Sequence, residues 1–276
     1  MMGPGPMGPG RMGNVIRAEL LKLRRRSVVV AVAGVVPLLA VISTVVLFAN
    51  AGSGSPDTGP QAEFNPTLGQ LGESGGMTRG FVAAASFLGL LVLITFVASV
   101  ANEWGQGTLR ALLVREPRRL RLLAGKAVAL LLVTAIAFVL ALVAGSVAAY
   151  VMAAVRDVPT GAWLGAGGWR TTGGDWLRSV LSVGCYGLIG LALGSLVRST
   201  TVGIAIAFAW FFPFEHILQN NWAGAGRWFP GLLFEAVATD GNDVTSFGRA
   251  LALGAVVVAV IVAVACVDLR RRDVNA

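Results

Sequence analysis

The chain has 276 residues, of which 55% are hydrophobic and 13% are charged, and its mean hydropathy is +0.75. These values exclude an ordinary soluble domain and indicate an all-α, polytopic membrane protein. Apolar runs of about 20 residues recur, and a helix of that length crosses the bilayer with its backbone polar groups satisfied. The net charge of +8 does not indicate nucleic-acid binding, since most basic residues flank apolar runs, where they set membrane topology.

The first 26 residues contain two segments of different character. Residues 1–11 are rich in Met, Gly and Pro and are predicted to be a disordered leader without a function of its own. Residues 12–26 have one apolar and one basic face, which predicts an amphipathic interfacial helix. Glu19 falls within the apolar arc of that helix. Either Lys22, one turn later, neutralises it or its carboxylate lies at a solvated edge, and the pattern leaves both open.

Six apolar runs are predicted to cross the membrane, and together they form a transmembrane domain over residues 27–276. The predicted spans cover about residues 28–48, 81–101, 127–155, 177–197, 201–218 and 250–267. The small residues of Ala49-Asn50-Ala51 resemble a signal-peptide cleavage site. However, the run before them is longer than a signal-peptide hydrophobic region, so we expect an uncleaved first span.

The distribution of basic residues predicts how the spans are oriented. Of the 22 Lys and Arg residues, 16 lie in segments on the same side as the amino terminus. Because cytoplasmic segments carry the excess of Lys and Arg, both termini are predicted to be cytoplasmic, with the spans in the inner (plasma) membrane. Residues 219–248 fall on the other side. Their apolar residues are too few for a span, which predicts short helices lying on the outer surface.

Two sets of residues within the spans are candidates for packing and for transport. The fourth span carries glycines that project within about 60° of one another, which predicts close packing of a neighbouring helix: Gly184, Gly187, Gly190 and Gly194. Aromatic residues could line a translocation path for an apolar or amphipathic substrate: Phe96, Phe208, Phe211 and Phe212. Aromatic residues that face lipid give the same pattern, so the sequence leaves both interpretations open.

Little in the sequence could carry catalysis. The single histidine, His216, cannot build a multi-histidine metal site, and neither cysteine has a C-x-x-C partner. Gly125-Lys126-Ala127 lacks the upstream glycine and the Ser or Thr of a phosphate-binding loop. We therefore expect no catalytic, metal or cofactor residues, and any ATP-driven work must come from another chain. Two alternatives stay open: a membrane enzyme acting on lipids through Glu215 and His216, and a non-transporting membrane scaffold.

Residues 101–126 form a basic interruption between the second and third runs. Its motifs resemble the E-x-x-x-G-T and P-x-x-R…G-K pattern of the permease subunits of ABC-2-type exporters: Glu103, Gly107-Thr108-Leu109-Arg110, Pro117-Arg118-Arg119 and Gly125-Lys126. The amphipathic opening helix and the six spans are similar to that family as well. Thr108 to Arg115 are predicted to form one short helix, ended by Pro117.

This resemblance implies the permease subunit of an ATP-driven exporter. Its expected partners are a second permease copy, as a homodimer, or a related permease, together with membrane lipids and a cytoplasmic ABC ATPase that binds ATP and Mg²⁺. The opening helix and the loop would dock on the ATPase. The coupling residues that the resemblance implies are Glu19, Glu103, Gly107, Thr108, Leu109, Leu112 and Leu113. The arginines at 118–121 fit either docking or a role in anchoring topology alone.

Overall fold

The computed structural model describes residues 12–23, 30–52, 65–107, 119–222 and 224–271. Its helices are α1 (Met12–Leu23), α2 (Val36–Asn50), α3 (Leu68–Leu71), α4 (Arg79–Gly105), α5 (Arg119–Val155), α6 (Ala166–Val197), α7 (Thr200–Ala209), α8 (Glu215–Asn221), α9 (Pro230–Ala238) and α10 (Phe247–Arg271). These ranges contain no β-strand, which confirms the all-α prediction for them. The predicted leader at 1–11 and the end of the predicted interfacial helix at 24–26 lie outside the described residues.

Six helical segments are long and apolar enough to cross a membrane, which confirms the predicted number of spans. They are Val32–Asn50, Arg79–Gly105, Arg119–Val155, Ala166–Val197, Thr200–Asn221 and Phe247–Arg271. α5 and α6 begin well before their apolar runs do. Polar residues such as Lys126 and Asp175 do not stop these helices, because both are paired within the fold.

α4 and α6 form a closely packed pair through the glycines of α6. A Cβ atom at Gly190 would lie 2.4 Å from the carbonyl oxygen of Leu93, and one at Gly194 would lie 2.6 Å from that of Val97. Gly187 likewise makes room for the ring of Phe96. Gly184 is the exception, since it faces α5 at an ordinary contact distance. Small residues matter here because van der Waals packing joins helices in lipid, where the hydrophobic effect does not.

α4 also packs against two groups of helices. In the first group, Phe81 and Leu88 of α4 are buried together with side chains of α2 and α5, among them Phe138. In the second group, Val97 of α4 packs with residues of α6, α7, α9 and α10, among them Phe234. A movement of α4 therefore changes packing contacts in both groups.

Helix α9 lies inside the bundle and not on its surface. Leu232, Leu233 and Phe234 are at most 1% exposed, and the helix packs against α6, α10 and α4. The prediction of short surface helices is therefore wrong for residues 230–238. Nine residues are too few to cross a membrane, but this short apolar helix is held in the interior by polar contacts. One of them is the hydrogen bond that the Tyr186 hydroxyl donates to the Gly231 carbonyl oxygen at 3.1 Å.

The two ends of the bundle carry different elements. At one end, here called the α1 side, α1 packs on the beginning of α5 beside the end of α4. The other end, here called the far side, carries α3 and the segments 72–78, 156–165 and 239–246. There Trp163 is fully buried, and its Nε1 donates a hydrogen bond to the Leu71 carbonyl oxygen at 3.0 Å. Charged residues collect at both ends.

Candidate functional site

Two carboxylates and two ammonium groups meet on the α1 side, and we call these four residues the ionic cluster: Glu19, Lys22, Glu103 and Lys126. Lys126 Nζ lies 3.0 Å from Glu19 Oε2 and 2.9 Å from Glu103 Oε1. Lys22 Nζ lies 2.5 Å from Glu19 Oε1 and 3.2 Å from Glu103 Oε1. Each carboxylate therefore contacts both ammonium groups, and the charges balance. Because α1, α4 and α5 supply these residues, the ionic cluster ties three helices together.

The ionic cluster is largely shielded from water. Glu19 is 4% exposed and Lys126 is 6% exposed, whereas Lys22 reaches further into solvent. Desolvation offsets much of the attraction within such a cluster, so its net contribution to stability is small. Removing one partner is different, because it leaves an uncompensated buried charge and typically costs about 3–5 kcal/mol. The ionic cluster therefore specifies how the three helices are arranged.

The charges of the ionic cluster support one another. Burial is the largest influence on the Glu19 carboxyl and acts to raise its pKa, but the Lys126 and Lys22 ammonium groups outweigh it and hold that pKa below the ordinary value of 4.5. Burial also opposes the charge on Lys22, yet its contacts with the two carboxylates raise the pKa of Lys22 above the ordinary value. Glu19 and Lys22 are therefore both charged at neutral pH.

The approach of α1 to α5 depends on Gly125. A Cβ atom at this position would lie 2.5 Å from Val15 Cγ1, so a larger residue would push α1 away. Val15 and Glu19 are one turn apart on the same face of α1. The carboxylate that the sequence places in the apolar arc thus lies on the face that contacts α5, where Lys126 neutralises it. Gly125 and Lys126 belong to the motif that resembles the family, but the sequence assigned them no contact.

The ionic cluster lies beside the connection from α4 to α5. Glu103 is in the last turn of α4, and Gly107 follows with a φ of +68°, a left-handed conformation that glycine adopts without strain. The predicted docking helix, with Thr108, Leu109, Leu112 and Leu113, lies outside the described residues. Of the predicted coupling residues that the structure describes, Glu19 and Glu103 are brought together, and Gly107 lies four residues further along the chain.

The four predicted path residues fall into two pairs with different surroundings. Phe96 and Phe211 are buried and pack between helices of the bundle. Phe208 and Phe212 are exposed and stack on each other with ring centroids 5.5 Å apart, and Phe87 of α4 lies 6.2 Å from Phe212. Of these four side chains, the structure therefore exposes only the second pair to lipid or to a substrate.

Glu215 and His216 make separate contacts. Glu215 is fully buried, and its Oε2 accepts a hydrogen bond from the Leu232 backbone N–H at 3.1 Å, at the beginning of α9. His216 Nε2 lies 3.3 Å from Glu235 Oε1. The Glu215 carboxylate thus holds α9 in place and is not accessible to a lipid headgroup, as an acid or base in catalysis would have to be.

Comparison with known proteins connects the chain to one family. A family model described as ABC-2 family transporter protein matches residues 13–228, which is more than half of the chain. The matched region includes all four residues of the ionic cluster and the path residues Phe208 and Phe212. No curated protein matches the chain.

Proposed function

Because the chain belongs to the ABC-2 family of transporter proteins, we propose that it is the permease subunit of an ATP-driven exporter and that a separate ATPase subunit supplies the energy. The family and the six candidate spans identify a multi-pass membrane transport subunit. Permeases of this family generally lack a nucleotide-binding site of their own. ATP and Mg²⁺ are then bound by the partner ATPase, and this chain supplies the path through the membrane.

The ionic cluster is the observation that supports this proposal best. Glu103 precedes the connection at residues 106–118, Lys126 follows it, and the two side chains meet at 2.9 Å. Glu19 joins α1 to the same point. Both ends of the connection are therefore fixed to one balanced group of charges, and a partner that displaces the connection displaces α1, α4 and α5 together.

The proposed orientation places the α1 side in the cytoplasm. This choice puts both termini and 16 of the 22 Lys and Arg residues on the side that the positive-inside rule favours. It also puts the connection between α4 and α5 on the same side of the membrane as a soluble ATPase. The membrane is then the inner (plasma) membrane, and membrane lipids surround the exposed apolar side chains of the spans.

The path itself is proposed to form where a second copy of the chain, or a related permease, covers the exposed aromatic face of α4, α7 and the π-helical turn Trp210–Phe214 that follows α7. This face carries Phe87, Phe208 and Phe212, whose rings lie close together. Aromatic rings offer apolar contact area and the offset or tilted packing that such rings prefer. We infer that the substrate is apolar or amphipathic.

Co-purification of a cytoplasmic ATPase with the full-length chain tests the proposed function. We expect Leu112→Asp or Leu113→Asp to abolish co-purification while membrane insertion is unchanged, because a charge on the apolar face of the predicted docking helix prevents its burial in a partner groove. Leu164→Asp is the matched control, since Leu164 is an exposed residue on the far side. The docking assignment is wrong if the Leu112 and Leu113 variants still bind the ATPase and stimulate its activity.

A further inference from the structure

Three consecutive residues in the last turn of α4 contact different parts of the bundle. Glu103 belongs to the ionic cluster, with α1 and α5. Asn102 Oδ1 accepts a hydrogen bond from Thr200 Oγ1 at 2.7 Å, at the beginning of α7. The ring of Trp104 lies under Arg198, whose guanidinium carbon is 4.3 Å from the ring centroid. Because successive residues on a helix point about 100° apart, a single turn of α4 contacts both groups of helices.

Arg198 extends these contacts to α10. It stands between α6 and α7 with a φ of +57°, and its Nη2 lies 3.4 Å from Asp268 Oδ2 of α10. A second contact joins α10 to the α1 side, since Arg119 Nη1 donates a hydrogen bond to the Leu269 carbonyl oxygen at 3.0 Å. The end of α10 is therefore linked both to the last turn of α4 and to the first turn of α5.

The contacts of Arg198 use a property that lysine lacks. A guanidinium is planar, so it stacks on an aromatic ring with its face while its edge pairs with a carboxylate. The Trp104 ring lies under the guanidinium carbon of Arg198, and Asp268 lies beside its Nη2. Its side chain is partly buried, which shields both contacts from water and salt. Arg198 is thus the group through which Trp104 and α10 are coupled.

We propose that Arg198 is a positioning residue that transmits displacement of the last turn of α4 from Trp104 to α10. The proposal rests on the proposed function, because the displacement is the one that a bound ATPase produces. The ionic cluster carries the same displacement to α1 and α5. Arg198 carries it to the second group of helices, which holds the exposed face at Phe208 and Phe212. One moving turn of α4 then acts on both groups at once.

Hydrogen exchange of the full-length chain in complex with the ATPase that co-purifies with it tests this assignment. Deuterium uptake is measured with and without ATP and orthovanadate at residues 200–209 and 259–271, and at 119–130 as an internal reference. In the wild type, we expect nucleotide to change uptake in all three segments. In Arg198→Gln, we expect the change at 259–271 to shrink by about fivefold, the scale of one lost cation–π contact. The change at 200–209 should be kept, because Asn102 contacts Thr200 directly.

Arg198→Gln is expected to keep its bound ATPase and the nucleotide-dependent change in uptake at 119–130. A purely structural role would shift the absolute uptake without removing its response to nucleotide. Arg198→Lys should fall between the wild type and Arg198→Gln, because it keeps the charge but not the planar contact. Arg178→Gln is the matched control, since Arg178 lies on α6, the helix that Arg198 follows, and has two carboxylate partners on the far side.

Several outcomes would overturn the assignment. A wild-type response at 259–271 in Arg198→Gln excludes transmission through this residue, and loss of the ATPase from that variant shows a docking role instead. If Arg198→Gln does not fold, Trp104→Leu is measured instead, because it removes the ring while the pair of Arg198 with Asp268 remains. An unchanged response at 259–271 in Trp104→Leu also overturns the assignment. Failure of the wild type to co-purify any ATPase overturns the proposed function, and this inference with it.

Discussion

The two ends of the bundle hold charged clusters that are built differently. On the α1 side, the ionic cluster balances two carboxylates with two ammonium groups, and both Glu19 and Lys126 are nearly inaccessible to water. On the far side, Arg178 Nη2 lies 2.6 Å from Asp175 Oδ1, and Arg178 Nη1 lies 2.7 Å from Asp240 Oδ2. Asp175 is buried and also accepts a hydrogen bond from Thr78, but the Asp240 side chain is 60% exposed.

This difference determines what happens when a contact is broken. Water solvates Asp240 as soon as it leaves Arg178, and exposed pairs of this kind contribute about 0–1 kcal/mol. Water cannot solvate Glu19 in this way while α1 stays packed on α5. Separation of the ionic cluster therefore leaves an unpaired buried charge, which is unfavourable. We expect the α1 side to move as one block under an ATPase, while the loop that carries Asp240 separates from α6 easily.

Lys126→Met should have the largest effect on stability of the substitutions that test the difference between the two ends. It leaves Glu19 and Glu103 with Lys22 as their one shared partner in the ionic cluster, and we expect a loss of about 3–5 kcal/mol in the free energy of unfolding. The measurement is denaturation of the purified protein in detergent.

The double variant Lys126→Met, Glu19→Gln is the control, because it removes one carboxylate together with the ammonium group. It should be more stable than the single variant, which shows that the two residues are energetically coupled. A loss of no more than about 1 kcal/mol in Lys126→Met, as for an exposed pair, would contradict a buried block on the α1 side.

The pH dependence of stability sharpens the comparison further. Because the pKa of Glu19 lies below its ordinary value of 4.5 in the folded chain, its contribution to stability is present above that value and is lost as pH falls through the folded pKa. The pKa of Lys22 is raised, so its contribution is present below the ordinary value of 10.5 and is lost as pH rises through the folded pKa.

The unfolding temperature in detergent is measured at acidic pH, where Glu19 titrates, and at alkaline pH, where Lys22 titrates. We expect it to fall below about pH 4.5, and Glu19→Gln should reduce that fall because it removes the titrating group. Lys22→Met should reduce the alkaline fall in the same way. If Glu19→Gln has the same acidic profile as the wild type, other carboxylates dominate the transition and the ionic cluster is not its origin.

Asp240→Asn should have the smallest effect of the three. Since the Asp240 carboxylate is mostly solvated, we expect the free energy of unfolding to change by no more than about 1 kcal/mol. Asp175→Asn is the matched comparison on the same arginine, and it should cost more because Asp175 is buried and paired with both Arg178 and Thr78. Equal losses in Asp240→Asn and Lys126→Met would remove the distinction between the two ends.

The sequence predicted the spans better than their ends. Apolar length alone identifies a segment that crosses lipid, so all six spans were found. The length of α6 could not be read from hydropathy, because the part of it before residue 177 contains Arg170 and Asp175, and Asp175 is paired with Arg178 in the structure. The burial of α9 could not be predicted for a similar reason, since a nine-residue helix is too short for a span, and only the hydrogen bond between Tyr186 and Gly231 shows that it lies inside the bundle.

The candidate site was predicted in part. Glu19 stands out in the sequence because it is a charged residue within the apolar arc of α1, and Glu103 stands out because it matches a family motif. Lys126, which joins them, was assigned no contact, since it is 107 residues from Glu19 and no periodic pattern links them. No pattern in the sequence singles out Arg198. Its partners Trp104 and Asp268 come from two other helices, and only the folded chain brings them together.

The close contact between α4 and α6 also bears on how the protein is made. It joins Leu93 to Gly190, so 97 residues separate the two partners along the chain. At a synthesis rate of about 5–20 residues per second, α4 leaves the ribosome about 5–20 s before its glycine-rich partner exists. The ionic cluster is already complete once Lys126 has been added, and the contacts of α2 with α5 once Val155 has. The amino-terminal half of the protein can therefore assemble first and hold α4 in position until α6 is inserted.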